Sequence, residues 1–271
     1  MFFLFIIAGL VVFGYACRTF ENRYIAKLGW IAMLAATYVG GFWLSGSHTG
    51  GAASLSLWFV LPWIDIMSRV RHLRFPLKNE IAHRFPPSRD VFPELGDLTA
   101  EIEEKDFVEA ENAGWRWEEM DHYMRLFYNA ELRTQAAITL AQQEEFALSY
   151  VSVTSRTPDG RAFITSNYPF SFTMKFGPEH TLNRYVEAES FEDLLASHQE
   201  FLSSHGLKME DLAEMDAETL SDALEQDMQS QIKHNVRVGV LVPTGEEDMF
   251  RYSWRGCWFL WIQVVKDMLR V

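Results

Sequence analysis

The residues with chemistry to offer are few and scattered. Glu118 and His122 stand four apart, next to Glu119 and Asp121. On a helix that spacing sets an acid and an imidazole on one face, where they could hold a divalent ion or exchange a proton. No HExxH pattern accompanies them, and an acid–His contact one turn apart is ordinary helix-surface stabilisation, which is the reading preferred here. His198 and His205 share a helical stripe with Phe191, Leu195 and Leu202, which points them inward. Seven residues along a helix is about 10 Å, too far to share one zinc without further ligands. Both are expected as hydrogen-bonded core histidines. Cys257 follows Arg255, whose charge favours a thiolate, yet Trp254, Trp258, Phe259 and Trp261 surround it and point to a buried, inert thiol.

Phosphate-cradling glycine loops, a G-x-S-x-G elbow, GxGxxG and paired CxxC are all missing from the sequence, and with them the chemistry those motifs position. The catalytic shortlist is therefore Glu118, His122 and His198, with no metal and no cofactor expected. The two cysteines, Cys17 and Cys257, make no disulfide framework and are expected as free thiols in a reducing compartment. Gly14-Tyr15-Ala16-Cys17 lacks the Leu of a lipoprotein cleavage site, and the first residues lack a basic region, so no removable signal is expected.

The elements that must carry these residues begin with three apolar runs. Residues 1–17, 28–44 and 52–67 contain no Lys or Arg, and Asp65 is their single acid. A spanning helix needs about 17–25 such residues, so the first two runs are just long enough and the third is marginal. Pro62 threatens the third, which could instead be re-entrant. Asp65 lies near its end, where head-group hydration accounts for it. Ala32, Ala36 and Gly40 recur at four-residue spacing and predict a helix-packing face, in the first instance against the other helices of the same chain.

Charge sets the orientation. Arg18, Arg23 and Lys27 follow the first run; Arg69, Arg71, Arg74 and Lys78 follow the third; the Gly-rich loop around His48 has no Lys or Arg. Basic loops stay cytoplasmic, which predicts a multi-pass inner or plasma-membrane protein with its N-terminus outside and everything after residue 67 inside. Residues 97–248 hold 31 acidic against 11 basic side chains. Such a module is repelled by phosphate, so nucleic acid is excluded as a partner; membrane lipid and a protein or larger membrane complex are the expected partners.

Residues 71–96, with Pro76, Pro86, Pro87 and Pro93, read as a basic, semi-rigid juxtamembrane linker. The module at 97–248 then reads as a long helix over about 115–143, strands at 146–155 and 161–166 around Thr157-Pro158-Asp159-Gly160, and a strand SFTMKF at 171–176. A weaker strand over 182–187 follows. A helix over 190–205 has Ser190 as cap and Gly206 at its end; another covers about 217–234, capped by Asp216. A hairpin turns at Pro243-Thr244-Gly245. The last segment, 249–271, is a Trp-rich strand and an amphipathic helix. Its Trp254, Trp258 and Trp261, with basic residues opposite, suit either the membrane interface or a cover over the sheet.

The fold class expected is thus a membrane-anchored α+β protein: an N-terminal bundle of three transmembrane helices, residues 1–70, then a cytoplasmic domain whose antiparallel sheet of four to six strands has helices on one side. The function expected is a non-catalytic membrane-anchored binding or assembly protein that presents its acidic domain to a partner. The alternative is a membrane-associated enzyme using the His and Glu residues above. A sensor built on the His48 loop ranks last, because so short a loop holds no ligand alone.

Overall fold

The computed structural model describes residues 2–20, 23–144, 146–214 and 217–270, and it divides into two compact units, residues 1–72 with 254–271 and residues 73–253. The first is helical: α1 (Phe2–Arg18), α2 (Arg23–Ser45), α3 (His48–Ser68) and the closing α7 (Trp254–Arg270). Two of these helices, over Tyr24–Ser45 and His48–His72, are long and apolar enough to cross a membrane, and α1 is shorter. Pro62 does not end α3, which runs on to Ser68. The loop expected around His48 shrinks to a tight turn, because Ser47 caps α3 by accepting from Gly50 N at 3.2 Å and His48 already belongs to the helix.

Small residues let these helices approach closely. Ala32 and Ala36 are buried, and Gly40 is half-buried with room to spare, the nearest foreign atom being Ile7 Cδ1 at 4.0 Å from where a Cβ would stand. The tight crossings lie elsewhere. A Cβ on Gly29 would sit 2.7 Å from Gly14 O, and one on Gly41 would collide with Ser54. On α7, Trp258 and Trp261 meet Trp63 edge-on at 5.4 and 6.5 Å, and Trp261 Nε1 donates to Phe59 O at 2.8 Å. The terminal helix thus packs on α3.

The second unit is α+β. The Pro-rich stretch expected as a linker carries two short strands, β1 (Phe75–Pro76) and β2 (Ala82–His83), before α4 (Leu95–Glu103). The long helix expected over 115–143 does not form. Its place is taken by β3 (Val108–Trp117), β4 (Met120–Asn129) and β5 (Thr134–Gln143), joined by tight turns. The turns that follow β3, β4 and β5 each place a non-glycine residue at left-handed φ: Glu118 at 52°, Arg133 at 50° and Glu144 at 49°. Turns of this hand match the twist of paired strands, but without Gly or Asn they leave no mark in the sequence.

Then come β6 (Phe146–Arg156) and β7 (Ala162–Ser166), as expected, with Gly160 at φ +86° in their turn. SFTMKF forms no strand, and β8 (His180–Arg184) starts two residues earlier than anticipated. Helix α5 (Phe191–Ser204) has the expected cap, Ser190 Oγ accepting from Asp193 N at 3.2 Å, and ends before Gly206 at φ +72°. Helix α6 (Leu220–Arg237) follows; Asp216, its expected cap, lies outside the described residues. Strands β9 (Leu241–Pro243) and β10 (Met249–Tyr252) close the unit as the predicted hairpin.

Seven strands form the main sheet in the order β2-β3-β4-β5-β6-β7-β8, antiparallel except for the parallel β7–β8 pair; β1, β10 and β9 make a second, three-stranded sheet. Helices cover both faces of the main sheet, not one. Tyr123, Phe127, Ala136, Ile138, Val151 and Val153 face α4 and α5 in one core, while Met124, Leu126 and Ala137 face α6 in another. Because adjacent strand residues point to opposite faces, burial on both sides erased the polar alternation that would have marked β4 as a strand.

Candidate functional site

The shortlisted residues are not brought together. Glu118 sits in the β3–β4 turn, where Oε1 accepts from Arg74 N at 3.1 Å. His122 pairs across the ladder with Trp115 and stacks flat on it, ring centroids 4.6 Å apart. Burial lowers its pKa to about 4, against the opposing charge of Asp121. The helical acid–His face is therefore not formed. His198 lies on the other side of the sheet, on the buried face of α5, with Nε2 3.0 Å from Ser155 Oγ and Nδ1 2.9 Å from Thr165 Oγ1. Burial lowers its pKa to about 4 as well. It is a satisfied core histidine. His205, expected inward, is exposed at the end of α5 against Phe201.

Among the proposed interface residues, Arg69 is exposed and pairs with Asp65 at 3.2 Å, and Arg71 lies over the Trp254 ring at 4.4 Å. Arg74 belongs to the α+β unit, pairing with Glu246 and accepting from Trp117 Nε1 at 2.6 Å through its carbonyl. Cys257 is buried, and that burial pushes its thiol pKa up against the nearby Arg71. The burial agrees with the buried thiol expected there, and a thiolate favoured by Arg255 has no support.

What the α+β unit does contain is a cavity of about 290 Å³ between the sheet and α6. Its floor is the α6-facing side of β4 to β8. Register aligns Met124, Thr139 and Tyr150 in one row and Leu126, Ala137, Ser152 and Ser166 in the next; Gln135, Thr154, Ile164 and Leu182 form the third. The roof is the stripe Leu220, Leu224, Asp227, Met228 and Gln231 of α6, and one wall is Phe172 and Phe176. That wall comes from the segment expected as a strand. It is held instead by Asn235, fully buried, whose Oδ1 accepts from Lys175 N at 2.9 Å and whose Nδ2 donates to Lys175 O at 2.7 Å. Rings then follow one another around the rim: Tyr150 to Tyr168 at 5.0 Å, Tyr168 to Phe172 at 5.3 Å, Phe172 to Phe176 at 4.8 Å, and Phe176 to His180 at 6.0 Å.

The electrostatics of the cavity are self-contained. Burial alone would raise Asp227, but His180 Nε2 at 3.3 Å and the two-pronged Arg156 outweigh it and hold the carboxyl below its ordinary value. Tyr150 is pushed up to about 12 by burial, with the Thr139 hydroxyl beside it acting in the other direction. That hydroxyl is nevertheless outside hydrogen-bonding geometry and has no partner. Three lining residues carry buried polar atoms without a partner, Gln135 Oε1, Thr139 Oγ1 and His180 Nδ1. The Glu179 carboxylate stands 3.7 Å from that last nitrogen, beyond hydrogen-bond reach. Leaving such groups bare costs about 1–3 kcal/mol each, so finding three in the lining of one cavity is a site property.

The sequence reading missed every one of these residues. The signal available was the α6 stripe Leu220, Leu224 and Met228, which had to be covered by something, and the alternation of Tyr150, Ser152 and Thr154 along β6. Among the described residues no group of three His, Cys, Asp or Glu could hold a metal ion. No known protein family, no characterised protein and no solved structure matches this chain.

Proposed function

We propose that the chain is a membrane-anchored, non-catalytic binding protein that presents its acidic α+β unit to a protein partner or a larger membrane complex. The observation that carries this is the exposure of the helical unit's apolar surface. Only 17% and 11% of the most apolar stretches of the two long helices are buried, whereas the core helix of a water-soluble protein would be covered. Leu28, Ile31, Leu44, Leu57, Leu61 and Ile64 all lie open, an apolar area that lipid accepts and water does not.

In this reading α1 is a third, shorter span, the N-terminus lies outside, and the basic residues after α1 and α3 keep the α+β unit in the cytoplasm. The dispersal of Glu118, His122 and His198 favours binding over catalysis. The test is fractionation of cells expressing the full chain. It should sediment with membranes, resist carbonate and enter detergent, and a defined protein should leave the detergent extract with it. Recovery in the soluble fraction without detergent would overturn the anchoring, and extraction as a lone chain would overturn the partner.

A further inference from the structure

We infer that the cavity between the main sheet and α6 is a binding site for a small, neutral, largely apolar molecule that carries an N–H or O–H donor. Size comes first. A cavity of about 290 Å³ is roughly twice one that admits a single benzene ring, about 150 Å³, which limits the occupant to a one- or two-ring molecule or a short branched chain.

Charge comes second. Asp227 and His180 are the ionisable groups that line the cavity along with the Tyr150 phenol. Asp227 is already engaged by His180 Nε2 and by Arg156 from outside the lining, and Tyr150 stays protonated. Neither an anion nor a cation finds an unmatched opposite charge, and both would lose their hydration on entering.

Polarity comes third. Gln135 Oε1 is an acceptor and Thr139 Oγ1 either gives or takes a hydrogen bond, and both are buried without a partner. They lie on one strand, β5, two residues to either side of Ala137 on the same floor. A ligand with one donor completes Gln135 or Thr139, while its body meets Leu220, Leu224, Met228 and Phe176. Such a mostly apolar lining with a few convergent polar groups is the usual make-up of a small-molecule site. The inference holds wherever the chain resides, since it uses only residues of the α+β unit.

The test uses the full chain in lipid nanodiscs, with its methionine methyl groups labelled with carbon-13 and followed by NMR. Met124 and Met228 line the cavity, and Met33 and Met249 do not, so partition of a probe into lipid cannot mimic binding. The probes are indole, 1-methylindole and benzoate. Indole should shift Met124 and Met228 saturably and leave Met33 and Met249 in place. 1-Methylindole, which lacks the donor, should bind about fivefold or more weakly, and benzoate should not bind. Either Thr139→Val or Gln135→Met, whichever removes the acceptor that indole uses, should weaken indole while leaving 1-methylindole unchanged, and undiminished indole binding in both would overturn the inference. Ser152→Leu should abolish binding by filling the floor, and Leu224→Trp does the same from the roof if the first variant fails to fold. Unmoved Met124 and Met228 signals with both indoles would mean a hydration site and overturn the inference. Undiminished binding in the filled variants, or benzoate binding as well as indole, would overturn it equally.

Discussion

The two faces of the seven-stranded sheet are built from alternate residues of the same strands, yet they are finished differently. Beneath α5, Phe127, Ile138, Val153 and Leu194 are almost wholly sealed from solvent, and the one buried imidazole has both ring nitrogens in hydrogen-bonding distance of hydroxyls. Beneath α6 the same strands offer Gln135, Thr139, Ser152 and Thr154, a cavity remains, and polar atoms stay bare. One register therefore yields a dry face that supplies stability and a loosely filled face that gives some of it up. That division is what a fold needs when half of its core is to be left for something else.

The contrast can be broken by substitution. Phe127→Ala on the dry face should cost about 3–5 kcal/mol in urea unfolding of the full chain, whereas Leu224→Ala, which widens space already empty, should cost clearly less. Equal costs would remove the distinction between the faces.

Acid is the next lever. His198 titrates at about 4 when folded and near 6.5 when unfolded. Between those values the unfolded chain binds a proton that the folded chain refuses. Stability is thus complete above pH 6.5, falls as the pH drops toward 4 and levels off below it, by up to about 3 kcal/mol. His122 on the opposite face behaves alike, its pKa also lowered to about 4. His198→Gln should remove about half of the acid sensitivity seen in unfolding curves between pH 4 and 7, and a wild-type profile with no such slope would contradict the burial argued for both imidazoles.

The pair Thr165→Val and Thr139→Val makes the sharpest comparison, because one change in shape and polarity is applied to each face. Thr165 serves His198 Nδ1 at 2.9 Å, so its loss should cost about 1–3 kcal/mol. Thr139 has no partner, so its loss should be neutral or slightly stabilising. The difference between the two melting temperatures checks this directly. The smallest effect expected is from Glu144→Gly: relieving a left-handed glutamate at φ 49° should gain about 1 kcal/mol or less against the entropy that glycine adds to the unfolded chain.

How much of this was legible depended on whether a local signal existed. The capped helix at 191–204 was readable because Ser190 and Gly206 are themselves the cap and the stop, and the apolar runs were readable because length and composition alone define them. The hairpins of β3, β4 and β5 were hidden for two physical reasons. Glu118, Arg133 and Glu144 adopt turn conformations usually left to glycine, and burial of β4 on both faces gave Met120, Tyr123, Met124 and Phe127 a spurious helical rhythm. The cavity was illegible because it is made by pairing distant segments. Nothing near Thr139 in the chain says that Met228 will lie above it. His198 was read correctly as a core residue, since its neighbours Leu194, Leu195 and Leu202 sit within two turns.

One pairing has a practical corollary. β1 and β10 lie side by side, Phe75 opposite Phe250, so the polypeptide enters and leaves the α+β unit at a single point, about 5 Å apart across the ladder. In topological terms that unit is a cassette spliced between α3 and α7. A protein engineer could join its two ends and reopen the ring at a hairpin tip.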